Sequence, residues 1–100
     1  MTILIPTDNN SRHEALLASM EENNSWAFVT LEEGQIVECD FYDRKEDILE
    51  WIDSVIVLNE QEYVWPFMEE GVIVLIAPTQ RSIDEIIEAF LFKELHDLSV

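Results

Sequence analysis

Basic residues are nearly missing from this sequence. Five Lys+Arg stand against 22 Asp+Glu, a formal net charge of −17. A surface of that sign repels phosphate backbones, so nucleic-acid binding is disfavoured. Anionic membranes and anionic cofactors are disfavoured by the same field, while cations and basic protein surfaces are favoured. Glycine is almost as scarce. Gly34 and Gly71 are the only two, and no Gly-rich phosphate loop can be built from them. One cysteine, Cys39, permits no internal disulfide and fits a reducing cytoplasm. No apolar run approaches the roughly 18–20 residues needed to span a bilayer. The opening "MTILIPTDNN" carries no basic stretch ahead of an apolar one, so no signal peptide is expected.

Apolar residues, by contrast, are plentiful. At 48% hydrophobic content, the 100 residues can fill one core, so the sequence reads as a single domain over 1–100 rather than a disordered chain. "TILIP" (2–6) reads as a short buried strand. Ser11 and Glu14 match a capping box, and Leu16, Leu17 and Met20 fall on one face, which predicts a helix over about 12–22. "WAFVTL" (26–31) and "IVECDFY" (36–42), joined by "EEGQ", predict a β-hairpin. Val37, Cys39 and Phe41 alternate with Glu38 and Asp40, so one face of the second strand is expected to be buried.

After residue 43 the period changes. Asp43 and Glu46, followed by Ile48, Leu49 and Ile52, predict a helix over 44–52. "SVIVL" (54–58) and "VIVLIA" (72–77) are uninterrupted apolar runs, as in strands covered on both faces. Between them, Asn59 and Glu62 predict a helix start and Gly71 its stop, with Pro66 kinking or splitting the helix. Ser82 and Glu85 form another capping box, opening an amphipathic helix over 83–95. The order β α β β α β α β α predicts an α/β domain: a mixed five-stranded sheet in a three-layer arrangement, with helices on both faces.

That order, together with "ILIPTDNN" (3–10), "WAFVTLEEGQIVE" (26–38) and "FMEEGVIVLIAPTQRSIDEIIEAFLFKEL" (67–95), resembles the nitrogenase iron–molybdenum-cofactor accessory family. The resemblance implies a ribonuclease-H-like fold and, as cofactor, an iron–molybdenum or iron–sulfur cluster. A family loop of the type "HFGRAPYF" falls on residues 19–26. There Ser19 takes the histidine position, Glu21 the glycine position and Glu22 the arginine position. Ser19 is therefore the cofactor-site position carried over by resemblance. Cys39, His13 and His96 are the only soft ligands in the chain, and Cys39 and His13 complete the candidate cofactor set. None of them has metal-site spacing, and no metal site is expected.

A hydrolase of the ribonuclease H type needs acids converging on paired cations. Residues 2–6 hold none, and the "SVIVL" strand ends in Asn59, so no catalytic constellation is visible and the protein is expected not to be an enzyme. The turn Pro78-Thr79-Gln80-Arg81 lies where α/β sheets often bind ligands. Ser82 already caps the helix behind it, which points to a connecting turn. The aromatics remain. Trp51 and Phe92 lie beside core-facing positions, and Trp65 flanks Pro66. Packed inward, they would form a bulky core edge. Left exposed on an acidic rim, Trp51, Trp65 and Phe92 would mark a contact with a basic protein partner or with a second copy of the chain as a homodimer.

Overall fold

The structure, a computed structural model, describes residues 1–98. It is built on a sheet whose first strand has both faces covered. In β1 (Thr2–Thr7), every residue from Ile3 to Thr7 is buried. Ile3 and Ile5 point to one face and Leu4 to the other, as the two-residue period of a strand requires. β2 (Ser25–Glu32) runs antiparallel to β1, and β3 (Gln35–Tyr42) antiparallel to β2. β4 (Ser54–Val57) lies parallel to β1 on its other side, and β5 (Ile73–Ile76) parallel to β4. The sheet has six strands rather than five. A short β6 (His96–Asp97) pairs antiparallel with β5, giving the order β3-β2-β1-β4-β5-β6.

The predicted helix over 12–22 does not form. The Ser11 carbonyl accepts from Glu14 and Ala15 N–H to close a single turn, and the chain then extends. Leu17 N–H donates to Arg81 O at 2.8 Å, and Ala18 N–H to Pro6 O at 3.0 Å. Ala15 and Leu17 are buried with Leu16 exposed between them, so the "ALL" run is read with period two rather than 3.6. The helix over 44–52 is likewise reduced to one 3-10 turn, Lys45–Asp47. Glu46/Glu50 and Asp43/Asp47 would stack like charges one helical turn apart. Extended, this segment lets Asp53 accept the Thr2 N–H at 2.8 Å.

α1 (Trp65–Glu69) is the remnant of the helix expected from 59. Asn59 and Glu62 do make the local bonds of a helix start. Yet Pro66 would clash inside a continuous helix, so the helix begins where proline is tolerated, in its first turn. α2 (Ile83–Leu91) opens with the expected capping box, Ser82 Oγ accepting from Glu85 N–H at 3.1 Å and Glu85 Oε1 from Ser82 N–H at 3.1 Å.

Both helices end in the same way. Behind α1, Gly71 N–H and Val72 N–H bond back to Met68 O and Phe67 O. Behind α2, Lys93 N–H and Glu94 N–H bond back to Phe90 O and Ala89 O. The left-handed position is Gly71 (φ 80°) in the first case and Lys93 (φ 60°) in the second. α2 therefore stops at Leu91, short of the expected 95, and the chain is turned back to form β6.

The hairpin loop is tighter than the sequence suggests. Glu32 pairs with Gln35, leaving Glu33 and Gly34, both at positive φ, as a two-residue turn. A bulge between Thr30 and Leu31 places Val37 opposite no partner and leaves it exposed. The face that β3 turns to the core is thus Ile36, Cys39 and Phe41 rather than Val37, Cys39 and Phe41.

Two cores result, and helices cover both faces. α2 packs Ile83, Ile86 and Ile87 on Ile3, Ile5, Val29 and Ile56, joined by Ala15 and Leu17 of the loop. α1 contributes Phe67, packed with Leu4, Trp26, Phe28, Val55, Val57 and Val74. The capping box should be visible in the pH dependence of stability. Hydrogen bonds from Ser82 hold the exposed Glu85 carboxyl below its ordinary value of 4.5. A depressed folded pKa stabilises fully above the unfolded value and is lost as pH falls through the folded one. The stability difference between the parent and Glu85→Ala is therefore expected to shrink in urea titrations taken from about pH 6 down to about pH 3.

Candidate functional site

Parallel strands β1 and β4 send their following connections to opposite sides of the sheet. Such a switch point leaves a crevice outside the strand ends. Here it is a cleft of about 540 Å³ lined by Asp8, Ser19, Glu21, Glu22, Asn59 and Glu62 among others. Ser19 is half-buried in it, on the segment where the family loop was placed.

Two of the four carboxylates are occupied by the chain itself. Asp8 Oδ1 accepts from Leu16 N–H at 2.9 Å and from the Asn9 amide at 2.9 Å. Glu62 accepts from Met20 N–H at 2.6 Å, Leu58 N–H at 2.5 Å and Asn59 N–H at 3.3 Å. These acids staple the 11–24 loop to the ends of β1 and β4, while Glu21 and Glu22 point to solvent. Among the described residues, no group of three His, Cys, Asp or Glu side chains is placed to hold a metal ion.

The other candidate ligands lie elsewhere. Cys39 is half-buried on edge strand β3, on the α2 side of the sheet. Burial raises its pKa above the ordinary 9.0, and the nearby Arg12 guanidinium offsets only part of that. His13 is exposed in the loop beside Arg12, whose guanidinium pairs with Asp84 at 2.7 Å. Ser19, Cys39 and His13 share no cavity. A cluster bearing negative charge needs thiolate, imidazole or cationic donors. The strand-end cleft offers carboxylates, a serine and amides, so these residues do not fit an iron–molybdenum or iron–sulfur group. A raised thiol pKa also has a direct readout: Cys39 alkylation by iodoacetamide is expected to be slow at neutral pH and to climb only above about pH 9, well behind a free cysteine.

The turn at 78–82 is filled. Arg81 Nη1 donates to Ala77 O at 3.2 Å and Gln80 O at 2.7 Å, and the capping box takes up donors at the start of α2. It connects β5 to α2, with these donors bonded within the chain.

The exposed aromatics lie on two surfaces. Trp51 is 61% exposed and Trp65 59%, both on the α1 side, while Phe92, at 72%, caps the far end of α2. A cleft of about 260 Å³ runs between Trp51 and α1, with Ile48, Ile52, Phe67 and Val72 inside and Glu46, Glu50 and Glu70 around it. A second compartment, about 380 Å³, adjoins it across Lys45, Pro66 and Phe67 and is lined by Met20, Trp26 and Tyr63. Trp51 is held in place: its Nε1–H donates to Asp53 Oδ1 at 3.1 Å, while Asp53 Oδ2 accepts from Thr2 N–H. The sequence left Trp51 and Trp65 open between a bulky core edge and an exposed patch, and the fold puts both at the surface. No local pattern gave a sign of the Asp53 anchor, which joins residues 51 apart in sequence.

No protein-family model and no curated protein matches the sequence. Solved structures do match the fold. One, from Methanocaldococcus jannaschii and provisionally called a dinitrogenase, aligns at a TM-score of 0.74 with 13% identity over 97% of this chain and 93% of that one. An NMR structure, also from M. jannaschii and provisionally called a dinitrogenase, gives 0.74 with 15% identity over 100% of this chain and 94% of that one. A Thermotoga protein, provisionally called a NifB protein of the DUF35 family, gives 0.72 with 13% identity over 99% and 94%. This chain shares their α/β fold. At these identities the likeness is one of architecture. No helix among the described residues is long and apolar enough to cross a membrane.

Proposed function

We propose that this is a non-catalytic binding protein on the ribonuclease-H-like scaffold of the nitrogenase-cofactor accessory proteins, working through contact with a protein partner that presents a basic surface. The observation that carries this reading is Trp51. Its ring stands exposed while its N–H is tied to Asp53, beside an apolar cleft edged by carboxylates. Aromatic side chains fixed before binding lose little freedom on contact, which is why they dominate protein interfaces. The charge of −17 selects a partner of opposite sign and speeds its encounter.

The strand-end cleft supports a carrier or hydrolase role less well, because Asp8 and Glu62 are already bonded to the chain. The test is a photo-cross-linking amino acid placed at position 65, and as a control at 33 on the hairpin tip, in extracts of the source organism. The reading expects a discrete heteromeric adduct from position 65 that weakens with salt, and none from 33. Equal labelling from both positions would refute it, and an adduct of twice the chain mass would replace the basic partner with a homodimer.

A further inference from the structure

We propose that the partner docks by a bipartite segment: a lysine or arginine side chain laid against Trp51 in the smaller cleft, and an apolar side chain in the adjoining Tyr63 compartment. This rests on the protein-contact reading above and names the chemistry it requires.

The two compartments differ in a way that assigns their occupants. The Trp51 cleft has an aromatic wall, an apolar floor and three glutamates, Glu46, Glu50 and Glu70, around it. An alkyl stem ending in a cation satisfies all three features at once, through apolar burial, cation–π attraction and ion pairing. At about 260 Å³ the cleft lies below the roughly 300–1,000 Å³ usual for small-molecule sites, a size suited to one side chain.

The chain already shows the same chemistry with its own cation. Lys45 Nζ lies 5.7 Å from the centre of the Phe67 ring and 3.0 Å from Glu46 Oε2, on the ridge between the compartments. Glu46 is thereby partly neutralised, and Glu50 and Glu70 are left to meet the incoming charge. The neighbouring compartment is bounded by Met20, Trp26, Tyr63, Pro66 and Phe67, with Glu21 at its edge and the Glu62 carboxylate already bonded to backbone N–H groups, so the wall left free is mainly apolar and suits a leucine- or phenylalanine-sized anchor. An arginine-only segment fills the first compartment and leaves the second wet. A neutral apolar segment does the reverse and lacks the long-range attraction.

The experiment uses the whole chain labelled with ¹⁵N and three short synthetic peptides of equal length: alternating arginine and leucine, arginine alone, and alternating glutamate and leucine. The arginine–leucine peptide is expected to shift the Trp51 indole and backbone signals of 45–52 and 63–70. The arginine-only peptide should bind at least tenfold more weakly, and the glutamate–leucine peptide not at all. Trp51→Ala should lose at least tenfold in affinity. Trp51→Phe keeps a ring but loses the Asp53 bond and should fall between. Glu50→Gln with Glu70→Gln should flatten the salt dependence.

Equal binding of the two arginine peptides, or an unchanged affinity in Trp51→Ala, would overturn the bipartite site. A position-65 cross-link that persists in that case would leave the protein-contact reading standing. Loss of both peptide binding and the cross-link would remove the two together. Shifts confined to residues 73, 75 and 90–95, on the α2 side, would also overturn the site by moving it to the other face.

Discussion

Phe67→Ala is expected to cost about 3–5 kcal/mol, a large part of the roughly 5–15 kcal/mol that holds a domain of this size together. Phe67 is the one buried residue of α1 and packs with Leu4, Phe28 and Val74, residues of three strands. Its removal takes away the main contact between a five-residue helix and the sheet. So short a helix has no stability of its own to fall back on. In thermal denaturation the midpoint should drop by roughly 12 °C or more. Trp65→Ala, two positions earlier on the same helix, should stay within about 0.5 kcal/mol of the parent, because its ring is mostly in water. The contrast separates a residue that builds the docking face from one that is displayed on it. Equal losses at 65 and 67 would mean that Trp65 is a packing residue and not a contact for a partner.

Glu62→Ala is expected to cost about 2–4 kcal/mol, because it strands backbone donors that a charged acceptor had satisfied. One carboxylate holds Met20 N–H on one segment and Leu58 and Asn59 N–H on another, joining parts of the chain 42 residues apart. Glu62→Gln should recover part of the loss, since its carbonyl oxygen still accepts. Glu21→Ala and Glu22→Ala, exposed on the same cleft, should be near neutral. Urea unfolding of the four variants reads this directly. Acids gathered for cation binding would behave the other way: removing one relieves repulsion in the empty site, so Glu62→Ala would match or exceed the parent in stability.

The strands were legible because their signals are local. β4 and β5 are bare apolar runs, and the hairpin carries a glycine at its turn. α2 was legible from its capping box and stripe, but its end was not. The residue in the left-handed position is Lys93, and a lysine gives no stop signal where Gly71 does. The missing helix at 12–22 failed for a different reason. Its capping pattern and apolar spacing are real, yet bonds from Leu17 to Arg81 and from Ala18 to Pro6 hold the segment extended against partners far away in sequence. No local pattern encodes those bonds.

The site divides in the same way. That Trp51 could lie exposed could be argued from its position beside core-facing residues, whereas Trp65 offered only its place next to Pro66. That Phe92 would sit apart from them could not be argued, because it depends on which face of the sheet each helix covers. The cleft between β1 and β4 follows from topology. That two of its four acids, Asp8 and Glu62, are taken up by the backbone follows only from where Met20, Leu16 and Leu58 come to rest. Ser19, Cys39 and His13 look like one set in a list of polar residues, and the fold disperses them.

The three tryptophan indole N–H groups offer one reading of the whole account. Trp26 is buried, Trp51 is bonded to Asp53, and Trp65 stands exposed, all on the α1 side of the sheet. The decisive measurement is their NMR signals, followed in one sample titrated with a basic protein, such as a lysozyme, and in another titrated anaerobically with an anionic iron–sulfur cluster. The account predicts that the basic protein moves Trp51 and Trp65 while the cluster moves none of the three and leaves no bound absorbance. A cluster that binds tightly, with the basic protein leaving every indole in place, would contradict it.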